Sequence, residues 1–455
     1  MAEDICPNLG CYGDSNAKTP YLDAFAKENI RFNYCYSAAP VCSAARSSLN
    51  LGMYGSCAGV GQHRSMNGLP HFVKNIGYYM QQAGYFTVIG KTDFNYPLTE
   101  GYDLQIKYNA ADTEQFAENI MHAVECAPED KPIFVIQTSA ITHQSQYGYT
   151  QDTSKHRSTM PRLQEDEWQD REKLLIPGYH FDSMQSREIW GQYHEKMTSL
   201  DRMMGETIQA IKERKIYDDS MILIVGDNGH GIPAGKINLW SEGVHVPMLL
   251  HIPKAMEGEL HLKEDAYGKY CDRFVTFVDF AATFLSVVNA EILEHMQGKP
   301  FLGSKKTTDP VEAFSFGERC DELFENSRSI YEKDYMYLCD FALTPVKRLN
   351  TYQITQAPWF VKSMIEKGYE NRIRDDDRRA LFREMPRINE QLFDLRQDHN
   401  QLMDIGKNID NRNIVLRMRT KMFQYIQLYR DGAMLPEPLA REFLLERDGM
   451  CSGSR

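Results

Sequence analysis

Three short apolar runs punctuate the first half of the chain, at residues 85–90 (YFTVIG), 133–138 (IFVIQT) and 221–225 (MILIV). Their length and β-branched content predict buried strands. Each passes at once into polar residues, KTDFN, SAITHQ and GDNGHG. Ligands of open parallel sheets bind beyond the carboxyl ends of the strands, so these three tails are expected to converge on one site. Residues 183–214 instead carry Trp190, Tyr193, Met197, Leu200 and Met204 at spacings of three and four, which predicts a long helix with that stripe in the core. The polar stretch starting at Gln144 predicts an irregular excursion over the sheet edge that helps shape a cleft.

Beyond Pro300 the texture changes. Runs at 327–331, 335–340 and 391–395 predict a smaller antiparallel sheet, and residues 411–430 a helix packed on it. The expected architecture is therefore α/β: a large domain over 1–300 with a mixed, mostly parallel sheet sandwiched by helices, then a smaller α+β domain over 301–455. No repeat is evident, and the tail GMCSGSR reads as unstructured.

At 455 residues the chain exceeds one ordinary core, which agrees with two domains. A net charge of -12 argues against a nucleic-acid partner, whose affinity would rest on clustered Lys and Arg. Ten cysteines in this length are too dilute for a disulfide scaffold, and no CxxC pair occurs. No apolar run approaches the roughly 20 residues of a membrane span, and the start MAEDICPNLG has the features of no export signal.

The segment VCSAARSSLNLG places Cys42 at the start of a helix-forming run, with Arg46 one turn on. A helix N-terminus and a guanidinium there would suit an anion, although a lone cysteine is more often a packed apolar residue. The surroundings favour the functional reading. TPYLDAFAKENIRFNYCYSAAPVCSAARSSLNLGMY resembles the signature region of the type I, formylglycine-dependent sulfatases, which have an alkaline-phosphatase-like fold. In their motif a Cys or Ser is followed by any residue, Pro or Ala, any residue, Arg, and a run ending in Gly. Cys42, Ala44, Arg46 and Gly52 fill it. The resemblance extends to AEDICPNLGCYGD, GKTDFN, THQS, LIVGDNGHG, EGVHVPMLLHIP, VTFVDFAATFL and QLFDLRQDHNQLMDI, in family order over almost the whole chain. The overall pattern is similar to sulfamidases, the heparan N-sulfatase-like members.

The resemblance implies that a maturation enzyme oxidises Cys42 to formylglycine. One hydroxyl of its hydrate attacks sulfur, and the other later expels sulfate as the aldehyde reforms, which splits one hard displacement into two steps. Ala44 stands where many members carry proline, which points to radical-type maturation in a bacterial host. The resemblance also implies one calcium ion per chain, held with Cys42 by Glu3 and Asp4 after the first strand and by Asp227 and Asn228 after 221–225, all hard oxygens apart from the cysteine position. Glu3 departs from the usual aspartate by one methylene. Arg46, Lys91 and Lys236 would neutralise the sulfate, and His143 would bind it or protonate the leaving group. Asp93 occupies a position where many members carry histidine, so substrate contact or orientation of a neighbouring group is expected of it; His230 is either a histidine satisfied behind the ligands, the reading favoured, or a candidate to bind substrate and deliver the proton in its stead.

The expected substrate is a small sulfated carbohydrate carrying a sulfate ester or a sulfamate. Two rivals are a phosphonate or phosphodiester hydrolase of the same fold, and an inactive binder of sulfated glycans. The family's first core strand normally precedes the acidic pair, yet only Met1 and Ala2 stand before Glu3. A longer natural chain, with periplasmic or secreted location, is the expectation; otherwise the location is cytoplasmic.

Overall fold

The computed structural model describes residues 1–91, 93–107, 109, 111–112, 115–342, 351–372, 377–378 and 389–432. Its strands are β1 (Ile30–Tyr36), β2 (Phe86–Ile89), β3 (Leu104–Gln105), β4 (Ile133–Ile136), β5 (Ile222–Val225), β6 (Met248–His251), β7 (Leu262–Asp265), β8 (Gly268–Thr276), β9 (Glu312–Gly317), β10 (Ser327–Glu332), β11 (Tyr335–Asp340) and β12 (Glu390–Asp394). The three apolar runs became β2, β4 and β5. The predicted tail lies outside the described residues.

The main layer has two halves. One is a mixed sheet in the order β5-β6-β1-β8-β7, and the other a parallel sheet in the order β3-β2-β4. Between β5 and β4, among the described residues, the first residues of the chain make the join, with Ala2 bridging in parallel to both Ser139 and Gly226. The Ala2 N–H donates to Val225 O at 2.9 Å and the Glu3 N–H to Ser139 O at 3.0 Å. Asp227 N–H in turn donates to Ala2 O at 3.0 Å. Residues 1–3 are thus a strand stub that ties both halves together. Behind it lies an apolar slot of 640 Å³, walled by β4 and β5 and floored by Phe116, Met204, Ile208 and Phe284.

Helices cover this layer as their periodicity dictates. Met184–Glu213 starts at Ser183, whose side chain accepts from Ser186 N–H. It buries the stripe of Trp190, Tyr193, Met197, Leu200 and Met204. Cys42–Leu51 is buried along its whole length and stops at Gly52, whose φ of +65° is a left-handed end that glycine adopts without strain. The stretch from Gln144 is mostly irregular, broken by the short helices Gln144–Gln146, Thr153–Arg157 and Glu165–Glu167.

A second, antiparallel sheet runs β12-β11-β10-β9. Helix Arg412–Tyr429 lays Val415, Met418 and Met422 into the core shared with Phe314 and Tyr337. This sheet docks against the segment that leads from β1 to Cys42. Phe316 N–H donates to Ala38 O at 2.8 Å, Ser315 Oγ donates to Ser37 O at 2.7 Å, and Tyr331 stacks on Tyr36 at 4.5 Å.

Candidate active site

The tails of the stub, β2, β4 and β5 meet the start of helix Cys42–Leu51, as open parallel topology requires. Arg46 stands at the centre of the meeting. Its Nη2 donates to Glu3 Oε1 at 2.6 Å and to Asp227 Oδ2 at 2.9 Å, its Nε to Asp227 Oδ2 at 3.1 Å, and its Nη1 to Thr138 Oγ1 at 2.9 Å. All four residues are buried, so each charge depends on its partner. Lys91, half-buried, pairs with the same Glu3 carboxylate.

Asp4 is held as tightly. Its φ of +54° is left-handed, a conformation that costs energy for a residue with a Cβ and persists only where surroundings over-determine it. Here the Asp4 N–H donates to Asp227 Oδ1 at 3.0 Å, and Asp4 Oδ2 accepts from Gln144 N–H at 2.8 Å. Asp4 Oδ1 accepts from Lys236 Nζ at 2.8 Å and from Asn228 Nδ2 at 3.0 Å. Burial pushes the Asp4 carboxyl up, but Lys236 and His143 outweigh it and hold the group at about 2. Lys236 Nζ also reaches Cys42 Sγ at 2.9 Å. Burial drives the Cys42 thiol well above its ordinary value; Asp227, Asp4 and Glu3 add to that push, and Lys236 opposes it. An unmodified Cys42 is therefore a protonated, weak nucleophile.

The metal question turns on oxygens. Two groups, Glu3, Cys42 and Asp227, and Asp4, Cys42 and His143, each bring their ligand atoms within 4.8 Å of one another. Glu3 Oε2 and Asn228 Oδ1 are buried with no hydrogen-bond partner. Orphaned buried oxygens are costly, and two of them beside a cluster of carboxylates fit a hard divalent cation. Three carboxylates already face Arg46, Lys91 and Lys236, so such a cation would leave the site net positive and receptive to an anionic ester.

Above the cluster opens a cavity of 310 Å³. Glu3, Cys42, Lys91, Asp93, His143 and Lys236 line it, so six of the expected site residues share one space. His143 Nδ1 lies 2.8 Å from Ser145 Oγ, and burial with Lys236 pushes its imidazole below the ordinary value. For Asp93, burial pushes upward, but Arg46 and Lys91 outweigh it and hold the carboxyl low. It is a carboxylate, not a proton donor. His230 stands apart from this cavity. Its Nε2 faces Tyr179 Oη at 3.0 Å and its ring packs on Trp190 and Tyr193 in the aromatic core, while Gly231 beside it stays against Asp4 and Gln144.

The cavity also includes His63, Arg64, Asp321 and Tyr352, which sequence reasoning did not single out. Nothing in the local pattern of QHRSMNG marks them, since their partners lie far along the chain.

The sulfatase family profile matches residues 1–290. An ulvan-active sulfatase of Formosa agariphila is 23% identical over 96% of this chain and 75% of its own length. The human N-sulphoglucosamine sulphohydrolase is 24% identical over 63% of this chain and 59% of its own length. A solved structure of a protein in complex with its substrate, D-glucosamine-2-N,6-O-disulfate, shares the fold at a TM-score of 0.66 and 15% identity, covering 96% of this chain and 98% of that one. The matched region takes in the Cys42 helix, the Arg46-centred cluster and every strand tail that meets there, and on that match this chain belongs to the sulfatase family.

Proposed function

We propose that this chain hydrolyses a sulfate ester or a sulfamate on a small carbohydrate, with Cys42, matured to formylglycine, as the nucleophilic position. The observation that carries the reading is Cys42 itself: it is the first residue of a buried helix, stands beside Lys236 and Asp4, and faces a cavity that Arg64, Lys91 and Lys236 also line. Names of relatives that act on ulvan and on N-sulphoglucosamine support a carbohydrate substrate. The cavity volume is at the lower end of the ~300–1,000 Å³ of small-molecule sites, which favours one sugar unit.

Formylglycine at position 42 would supply, as its hydrate, one hydroxyl for attack on sulfur and a second for the release of sulfate. Glu3, Asp4, Asp227 and Asn228 would hold calcium, which would supply Lewis acidity toward the sulfate. The chain's own residues do the rest. Arg46 keeps Glu3 and Asp227 in position through three of its nitrogens' hydrogen bonds. Lys236 and Lys91 offset charge that builds on the transferred group, at fixed positions that need no reorganisation. His143 would exchange a proton with the departing oxygen or nitrogen, a role that its position in the cavity lining supports. Asp93, held ionised, contributes orientation and substrate contact.

The test is sulfate release by the matured protein from O-sulfated and N-sulfated glucosamine, run beside a phosphonate monoester and a phosphodiester. Turnover of a sulfated sugar that disappears in Cys42→Ala supports the reading. A clear preference for the phosphorus substrates would overturn it, and binding of the sugar without turnover by fully matured protein would identify a non-catalytic binder.

A further inference from the structure

The segment 60–64, which contributes His63 and Arg64 to the cavity lining, is clamped from two sides. His63 N–H donates to Arg319 O at 2.9 Å, and Arg319 returns hydrogen bonds to His63 O at 3.2 Å and Gln62 Oε1 at 2.9 Å. From the other side the buried Asn95 accepts from Arg64 N–H at 2.8 Å and donates to Val60 O at 2.8 Å. The Asn95 N–H donates to Ser47 Oγ at 2.9 Å, which fixes the same wall to the Cys42 helix. Arg64 has a φ of +57° and Asp321 a φ of +51°. Arg64 takes its left-handed backbone within this clamp and Asp321 within the tight turn that Cys320 and Leu323 close by mutual hydrogen bonds, and such strain at non-glycine residues concentrates where a side chain must be aimed.

What is aimed is a cation beside an acceptor. The other cations of the cavity are committed: Lys91 to Glu3, and Lys236 to Asp4. Arg64 is exposed, and its guanidinium has no partner among the described residues. An exposed arginine is ordinary by itself. Here the carboxylate that could take it, Asp321, faces His63 instead, with Oδ1 3.2 Å from Nδ1. Burial, with Arg64, pushes His63 below its ordinary value, so the ring is neutral. Nδ1–H then donates to Asp321, and Nε2 is left as an acceptor.

We propose that Arg64 anchors a second anionic group, a sulfate or a carboxylate, on the same saccharide whose scissile sulfate sits at Cys42, while His63 accepts a hydrogen bond from a neighbouring hydroxyl. The preferred substrate is thus a doubly anionic sugar, a specificity that rests on the sulfatase reading above. A planar guanidinium pairs two N–H groups with either anion, and a neutral acceptor at its side rejects a second anion at that point.

The experiment uses matured enzyme and three sugars with the same scissile sulfate: one without a second anion, one with a second sulfate, one with a carboxylate. Wild type should favour at least one doubly anionic sugar through a lower KM. In Arg64→Gln that preference should fall about ten-fold, and Arg64→Lys should restore part of it. A fall confined to the disulfated sugar assigns sulfate as the second anion; a fall confined to the carboxylated sugar assigns the carboxylate. An equal loss on all three sugars, or an unchanged preference, would overturn the role of Arg64 while the sulfatase reading stood. Failure of the wild type to release sulfate from any of them would overturn both.

Discussion

Lys236 holds its ammonium 2.9 Å from the sulfur of Cys42, yet burial keeps that sulfur protonated. The geometry suits a nucleophile and the thiol chemistry does not, a contradiction that the proposed maturation to an aldehyde would resolve. The peptide spanning Cys42 from protein made with its maturation enzyme should be about 18 Da lighter than the thiol form, and Cys42→Ala should lose at least about a thousand-fold in turnover. Peptide mass spectrometry and sulfate release check this pair. Full activity with the unmodified mass would reject it.

Removal of the cation should be felt through its ligands in a graded way. Asp227→Asn takes a charge from the cluster yet leaves Arg46 paired with Glu3, so the variant should fold. It should bind well under one calcium per chain and lose about a hundred-fold or more in rate, and Asn228→Ala should follow in the same direction. Chelation of the parent should abolish turnover, with recovery on adding calcium back. Elemental analysis beside the rate decides; variants with full metal content and full rate would misplace the site.

The strands and the long helix were legible because their signal is local. YFTVIG and MILIV need only their own residues to declare themselves, and the stripe from Trp190 to Met204 repeats for about four turns of helix. The cluster around Arg46 was legible by family order, although the reason Glu3 suits its position was not. Its carboxylate serves both Arg46 and Lys91, a demand set by β2 and the Cys42 helix together. His230 follows Asn228 by two residues, yet its ring packs on Trp190 instead of lining the cavity, a placement set by the aromatic core and not by the local sequence. Arg64 and His63 were invisible for the opposite reason: what aims them, Asn95 and the Arg319–Asp321 turn, comes from elsewhere in the chain.

Acid should unfold this protein earlier than its carboxylates alone would dictate. His180 is buried as the neutral tautomer: Nε2–H donates to Pro233 O at 2.6 Å and Nδ1 accepts from Trp190 Nε1–H at 3.0 Å. Burial pushes its pKa down to about 3. The unfolded chain, with an ordinary imidazole near 6.5, therefore binds the proton first as pH falls, and stability is lost from about pH 6.5 downward at up to about 1.4 kcal/mol per unit for this group. His180→Gln keeps a donor for Pro233 and an acceptor for Trp190 without titrating. Its unfolding free energy should fall less between pH 7.5 and 5 than that of the parent. Equal slopes in urea titrations at the two pH values would remove His180 from the account.

The last prediction concerns the slot behind the stub. Ala2 bridges to both Ser139 and Gly226, so β4 and β5 stand about twice the ~4.8 Å strand spacing apart, the width of a single strand. Yet their inner edges, residues 133–136 and 222–223, remain partly exposed along 640 Å³ of apolar wall. The Met1 amine lies at the head of this slot, donating to Gln137 O at 2.7 Å, and burial pushes it down to about 5. A peptide N–H there would keep the hydrogen bond and remove the titrating group. An engineered extension of about six alternating Val and Ile residues before Met1 should pair with both edges, bury its side chains at about 1.5–3 kcal/mol each before entropy costs, and raise Tm by several degrees. It should also tighten calcium binding, because Glu3 and Asp4 follow directly on the stub that the new strand would anchor. Melting curves and calcium titrations of the two lengths test the argument together. An extension carrying Asp and Lys in place of Val and Ile is the control, and a gain equal to that of the apolar strand would show that the slot does not recognise a strand.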